Sequence, residues 1–278
     1  MPLVDAFDLG PHGQNVSPSL IEDFLSQGYV ICDVCDRPAL DQLRREIVTA
    51  AAKAIDQPGP TDDGAFLDGI HQVLPVEKLN AVRLGLYHEI NSRAWFRPTY
   101  FRLGRAMLET LVGNELAMQN RINFSIQMPG DKTSLLDLHA DVFSGETPYQ
   151  VVQWLPLVDV KATKSMFILP RPKSEAVIAR LAEFSDGGMR ALYEEIKRDL
   201  IWLDIPYGKV LIFCPNFLHG NVVNDEATTR WSLNCRFTGL FTPYDSPEKA
   251  LGQFYLPITV RPTTRLGMAY RQPGGFRE

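Results

Sequence analysis

The chain has 278 residues, 45% hydrophobic and 22% charged, with a formal net charge of −5, which is the usage of a globular protein with ample apolar surface for a core. The acidic balance offers no cationic excess for a phosphate backbone, so nucleic acid is a poor partner and a small molecule a better one. No run approaches the roughly 20 apolar residues of a membrane span, and the opening Met1 to Asp8 lacks the basic and apolar regions of a signal peptide; no membrane association and a cytoplasmic location are expected.

Residues 1–16 carry no periodic pattern and read as an irregular lead-in. Ser17 is placed as an N-cap, with Pro18 at the first helical position, Leu20, Ile21, Phe24 and Leu25 on one face, and Gly28 as the stop. Tyr29 to Cys32 reads as a strand. Asp36 and Pro38 then open a second helix with the apolar stripe Leu40, Leu43, Ile47 and Ala51, and a loop runs from Asp56 to Gly64. Two more helices are expected from Val76 to Asn91 and from Thr99 to Val112, although Gly85 and Gly104 weaken each pattern. From Leu116 the grammar changes to short runs rich in Val, Ile, Phe and Trp broken by Gly and Pro, as at Ile122 to Met128, Tyr149 to Leu157 and Val210 to Phe213. A helical insert at about 174–199 is interrupted at Gly187-Gly188. The expected architecture is one domain over 1–278, mainly β: a jelly roll of the cupin type (a double-stranded β-helix) over 116–278, backed by a helical layer over 1–115. Cys32, Cys35, Cys214 and Cys235 are too few and too scattered for a disulfide framework or a zinc site, and read as free thiols.

Five histidines occur, at His12, His71, His88, His139 and His219, so every metal hypothesis can be tested against all of them. His139-Ala-Asp141 is the one His-x-Asp. On a strand, residues two apart point to one side, so this pair would offer an imidazole nitrogen and a carboxylate oxygen to a single ion. His219 follows the expected strand Val210 to Phe213 and completes a two-histidine, one-carboxylate face. Such a face leaves coordination positions open, as in non-haem iron oxygenases, whereas structural zinc fills its sites. A lone histidine is more often a surface or hydrogen-bonded core residue, and it is the sequence after His219 that reverses that preference.

Arg230 opens the run Arg230-Trp-Ser-Leu-Asn-Cys-Arg-Phe237. Alternation puts Arg230, Ser232, Asn234 and Arg236 on one face and Trp231, Leu233, Cys235 and Phe237 on the other. In an exposed strand the polar set would be a solvated face. Turned into a barrel, an arginine is costly to desolvate unless it meets an anion, and its planar fork suits the distal carboxylate of a dicarboxylic acid such as 2-oxoglutarate.

The order His139-x-Asp141, His219, Arg230 resembles the phytanoyl-CoA dioxygenase-like branch of the iron(II)- and 2-oxoglutarate-dependent oxygenases. The likeness covers most of the chain. It includes Ile21-Glu-Asp-Phe-Leu-Ser-Gln-Gly-Tyr-Val-Ile31, the Met128-Pro-Gly-Asp131 loop and Gly208-Lys-Val-Leu-Ile-Phe213. The resemblance implies that His139, Asp141 and His219 hold iron(II), that Arg230 holds 2-oxoglutarate, and that Asn123, Gln127, Trp154 and Asn221, with Ser232 on the Arg230 face, line the cosubstrate pocket. It further implies oxidation of a substrate by dioxygen with release of succinate and carbon dioxide. The intact Asp141 favours hydroxylation, desaturation or another oxygen-driven oxidation, because related halogenases lack that carboxylate. One departure is that Pro170-Arg-Pro-Lys-Ser174 replaces the family's usual Pro-Gly-Ser-His run, so the substrate-side loop is expected to differ from that of the better-known members.

The stretches Asp137 through Trp154 and Thr163 through Leu169 resemble a bacterial subgroup found in carbohydrate biosynthesis clusters, implying a sugar or sugar derivative as substrate. Phe143, Tyr149, Lys164 and Arg236 are candidate substrate contacts, since they flank the inferred metal mouth or share its inward face. Alternatives are an oxygenase acting on an amino acid, phosphonate or other natural product, and a non-catalytic metal- or sugar-binding cupin. Arg230 discriminates the second of these, because a binding module needs no inward guanidinium placed for a dicarboxylate.

Overall fold

Pro18 at the first helical position and Gly28 just past the end bound α1 (Pro18–Gln27), as proline and glycine placement predicts. The computed structural model describes residues 16–243, 246–272 and 274, so nearly all of the expected lead-in lies outside the described residues. After β1 (Tyr29–Asp33), the Asp36 side chain accepts from the Ala39 backbone N–H and starts α2 (Arg37–Ala54). Next come α3 (Asp63–Gly69), α4 (Val76–Asn91) and α5 (Phe96–Leu111). Asp62 caps α3 in the same way; the helix is only seven residues long, too short to show a hydrophobic period, and the sequence reading passed over it.

The strands that follow are β2 (Leu116–Gln119), β3 (Asn123–Gln127), β4 (Gln150–Pro156) and β5 (Phe167–Ile168). The helical insert is α6 (Arg171–Ile178) and α7 (Gly188–Ile196), broken near Gly187-Gly188 as expected. The chain closes with β6 (Ile201–Trp202), β7 (Lys209–Phe213), β8 (His219–Gly220), β9 (Arg230–Gly239), β10 (Tyr255–Thr259) and α8 (Pro262–Ala269).

Among the described residues these strands form two antiparallel sheets. The larger runs β1-β7-β4-β9-β2-β10, with β3 also paired to β9, and the smaller runs β6-β5-β8. Residues of both sheets line one cavity, which is the jelly-roll arrangement with helices outside. β9 is its axis. β4 lies along one edge of it, while β3 takes the Arg230 to Asn234 part of the other edge and β2 the Phe237 to Gly239 part. β10 is an edge strand interrupted by Pro257 and a register shift, which hides it from pattern reading.

Alternation along β9 separates two environments. Trp231, Leu233, Cys235 and Phe237 are fully buried in the main core, and Trp231 Nε1 donates to the Leu67 carbonyl of α3 at 2.9 Å. α5 lies flat on the same outer face: Tyr100 Oη donates to the Gln153 carbonyl at 2.7 Å, and Gln153 Nε2 returns a bond to the Tyr100 carbonyl at 2.8 Å. Gly104, which weakened the helical pattern, permits this approach. A Cβ there would sit 2.1 Å from Gln153 Oε1 and 2.9 Å from its Cδ. The four cysteines are free thiols, and among the described residues no helix is long and apolar enough to cross a membrane.

Because Gln153 is buried and held by Tyr100, Gly104→Ala would force it out of place. Such overpacking costs about 1 to 3 kcal/mol. A thermal or urea denaturation of Gly104→Ala is therefore expected to show a lowered midpoint, with His139, Asp141 and His219 untouched.

Candidate metal centre

The site is built by a backbone pairing. His139 N–H donates to the His219 carbonyl at 3.0 Å, and His219 N–H donates to the His139 carbonyl at 2.9 Å. This antiparallel bridge joins two segments 80 residues apart in the sequence and sets the two imidazoles side by side, with ring centroids 4.3 Å apart. The expected strand at His139-Ala-Asp141 is corrected here. His139 is a single bridge residue, and Asp141 begins a 3-10 turn, Asp141–Ser144. Ala140 between them is extended (φ −123°, ψ 137°), so the two side chains still converge.

Each imidazole is fixed through its Nδ1. His139 Nδ1 lies 2.6 Å from the Asp137 carbonyl and His219 Nδ1 lies 2.8 Å from the Phe217 carbonyl. A carbonyl can only accept, so Nδ1 carries a proton in both rings and Nε2 is the nitrogen left for a metal, the usual outer support of metal-binding histidines. The two Nε2 atoms face Oδ1 of Asp141, at 3.4 Å from His139 and 3.8 Å from His219. The three ligand atoms lie within 4.8 Å of one another, and among the described residues His139, Asp141 and His219 are the one group of three so disposed.

Neighbouring residues hold the two segments together. Asn221 Oδ1 accepts from Leu136 N–H at 2.7 Å, and its own N–H donates to the Leu136 carbonyl at 2.8 Å. Gly220 allows the contact, since a Cβ there would meet the Leu136 and Asp137 carbonyls at 2.8 and 2.9 Å. The Pro170–Ser174 departure from the family pattern is the start of α6, and its buried Ser174 Oγ accepts from Leu218 N–H at 2.8 Å, one residue before His219.

The electrostatics suit a cation. Burial opposes the Asp141 charge, but the His139 hydrogen bond and the Arg236 charge outweigh it and hold the carboxyl well below its usual range. Burial, with the neighbouring His139, pulls His219 down to about 4, so its ring is neutral and free to ligate.

A cavity of about 790 Å³ opens from these ligands. Arg230 lines it and is 2% exposed. Nη2 donates to Ser125 Oγ at 3.1 Å and Nη1 to the Ser165 carbonyl at 3.3 Å. Among the described residues no carboxylate forms an ion pair with it; burial drives its pKa down to about 10, with the Asp131 charge opposing. Arg230 Nε, Gln127 Oε1, Ser165 Oγ and Ser232 Oγ are all buried without a hydrogen-bond partner. A buried cation among unmatched polar atoms fits an absent anionic ligand.

Asn123, Trp154, Asn221 and Arg236 also line the cavity. Gln127 and Ser232 are buried on the same face but do not line it: Gln127 Nε2 donates to the Val222 carbonyl at 2.7 Å. Three of the four candidate substrate contacts lie elsewhere. Phe143 and Tyr149 are exposed away from the cavity, and Lys164 is paired with Asp68 at 2.6 Å. Sequence reasoning missed Ser125, although it lies between Asn123 and Gln127 on their side of β3. It also missed the cavity wall built by α4, where Val76, Asn80, Arg83, Leu84 and Tyr87 share one face.

No family model and no curated protein matches the sequence. Solved structures do. The chain is similar to a non-heme monooxygenase, the ThoJ-Ni complex, at 16% identity and a TM-score of 0.56, over 92% of this chain and 89% of that one. It is similar to HygX from Streptomyces hygroscopicus with nickel, 2-oxoglutarate and hygromycin B bound, at 14% identity and a TM-score of 0.51, over 82% and 90%. It also matches EctD from S. alaskensis in its apoform, at 17% identity and a TM-score of 0.50, over 84% and 80%. The jelly roll is therefore a fold that this chain shares with oxygenases of this kind.

Removing a first ligand should cost more than the roughly 10- to 100-fold that loss of an outer partner costs. In calorimetric titration with Mn(II), the parent is expected to bind one ion, and Asp141→Ala and His219→Ala to bind with affinity lowered beyond that range. Parent-like binding by either variant would remove that residue from the centre.

Proposed function

We propose that the protein is an iron(II)- and 2-oxoglutarate-dependent oxygenase that oxidises a small molecule. The observation that carries this reading is Arg230, a buried guanidinium with no carboxylate at ion-pair distance among the described residues, facing the same cavity as the His139, Asp141 and His219 ligand atoms. A structural metal site has no use for such a cation. A dicarboxylate spanning from the metal to Arg230 would satisfy both ends.

His139, Asp141 and His219 would hold the iron, with Nδ1 of each histidine already engaged so that the rings cannot turn away. Bound there, iron and 2-oxoglutarate together with dioxygen would supply the oxidising chemistry, one oxygen atom going to succinate, which is released with carbon dioxide, and the other serving to oxidise the substrate. Arg230 would take the distal carboxylate, helped by the cavity-lining Ser125 hydroxyl beside it, with the unpartnered hydroxyls of Ser165 and Ser232 behind the cavity wall. Asn123 and Asn221 add polar walls, while Trp154, Val152 and Phe213 give an apolar lining that limits water near the metal.

The finer reading is a member of the phytanoyl-CoA dioxygenase-like branch that acts on a sugar or sugar derivative. Its support is the sequence resemblance over Asp137–Trp154 and Thr163–Leu169, together with a cavity roomy enough for a substrate beside 2-oxoglutarate. At the mouth, Asn80, Arg83 and Tyr87 on α4 supply hydrogen-bonding groups and an aromatic ring suited to a polyhydroxylated ligand.

Anaerobic addition of iron(II) and 2-oxoglutarate is expected to give the weak visible charge-transfer band of the chelate. A charge-assisted pair is worth about 1.5 to 3 kcal/mol, so Arg230→Ala should raise the dissociation constant for 2-oxoglutarate roughly 10- to 150-fold. Trp231→Ala, on the other face of β9, should lose stability rather than cosubstrate affinity. Unchanged 2-oxoglutarate binding by Arg230→Ala would refute the assignment.

A further inference from the structure

Arg236 lies on the inward face of β9, but its guanidinium is committed to one neighbour. Nε and Nη2 both donate to Oδ2 of Asp141, at 2.9 and 2.7 Å, and Nη1 donates to Gln119 Oε1 at 3.4 Å. The two oxygens of Asp141 are thereby divided: Oδ2 is covered by Arg236, and Oδ1 faces both histidine Nε2 atoms.

Arg236 is itself braced. Glu146, 2% exposed, lies 3.8 Å from its Nε. That carboxylate in turn accepts from Lys249 Nζ and from the Tyr255 hydroxyl, the latter at 3.0 Å, and Tyr255 also bonds Gln150. Val152, paired across from Arg236 in the sheet, supplies an aliphatic wall rather than a competing acceptor. The guanidinium is thus built into the fold and has little freedom to reach a substrate.

A carboxylate binds a metal through one oxygen or through both, and the second mode uses up a coordination position. Two N–H donors from a rigid fork on one oxygen oppose the rotation that two-oxygen binding needs. We propose that Arg236 is a positioning residue that restricts Asp141 to ligation through Oδ1 alone, keeping one position on the metal free for a further small ligand beside 2-oxoglutarate. This rests on the reading of His139, Asp141 and His219 as the metal ligands.

The probe is Mn(II), read by water-proton relaxation per bound ion, which reports how many exchangeable waters the metal keeps. With 2-oxoglutarate added, the parent is expected to retain a water contribution. Arg236→Leu frees Oδ2, so Asp141 takes the extra position and that contribution is lost. Arg236→Lys restores one donor to Oδ2 and is expected to return relaxation toward the parent value, which a mere packing role would not do. Should Arg236→Leu fail to fold, Arg236→Gln, which keeps a single weaker donor, is expected to lie between the Leu and parent values. Parent-like relaxation in Arg236→Leu, or in Arg236→Gln where the Leu variant does not fold, with Mn(II) bound, overturns the proposal and leaves the metal centre standing. Parent-like Mn(II) affinity in Asp141→Ala overturns the metal reading itself.

Discussion

Everything at the centre depends on the reciprocal backbone pair between His139 and His219. Two backbone hydrogen bonds fix the register between segments that meet only in the folded barrel, and a slip of one residue would turn one imidazole to the wrong side. The pair is protected from both ends. Gly220 and Asn221 lock the chain before His139, and Ser174 on α6 locks the chain before His219. The ring nitrogens then follow without further choice, since each Nδ1 meets a carbonyl and each Nε2 is left to face Asp141.

The second constraint is charge. Arg230 and Arg236 are six residues apart on one face of β9, yet their surroundings assign them different tasks. Arg236 has a carboxylate partner in Asp141 and a braced acid behind it in Glu146. Arg230 has two neutral acceptors and several unmatched polar atoms around it. Burying a cation without an anion is costly, and a fold that does so gains most when a dianionic ligand arrives. In the proposed reading, the inward face of β9 would carry one cation that positions Asp141 and one that receives the cosubstrate.

Much of this was legible in the sequence because β periodicity is strict. The alternation from Arg230 to Phe237 assigned four residues to the cavity side and four to the core, and Trp231, Leu233, Cys235 and Phe237 lie in the core. Helix boundaries marked by Pro18, Gly28 and Asp36 were equally readable, since capping is local chemistry. Contacts made by distant segments were not readable. Nothing near Lys164 in the chain announces Asp68, and nothing near Arg236 announces that Asp141 and Glu146 will occupy it. The strand expected at His139 failed for a related reason: a two-residue spacing needs only extended backbone at Ala140, and a single bridge supplies that. Gly104 read as a weak point in a helix, and its purpose became visible only with Gln153 beneath it.

The most direct test of the central claim is an anaerobic crystal structure of the protein soaked with Mn(II) and 2-oxoglutarate. The account predicts one ion at about 2.0 to 2.2 Å from His139 Nε2, His219 Nε2 and a single oxygen of Asp141, a range carried over from nitrogen and oxygen ligation of zinc. It also predicts the distal carboxylate of 2-oxoglutarate on the Arg230 guanidinium. An ion bound away from these three side chains, or 2-oxoglutarate bound with Arg230 left unpaired, would contradict it.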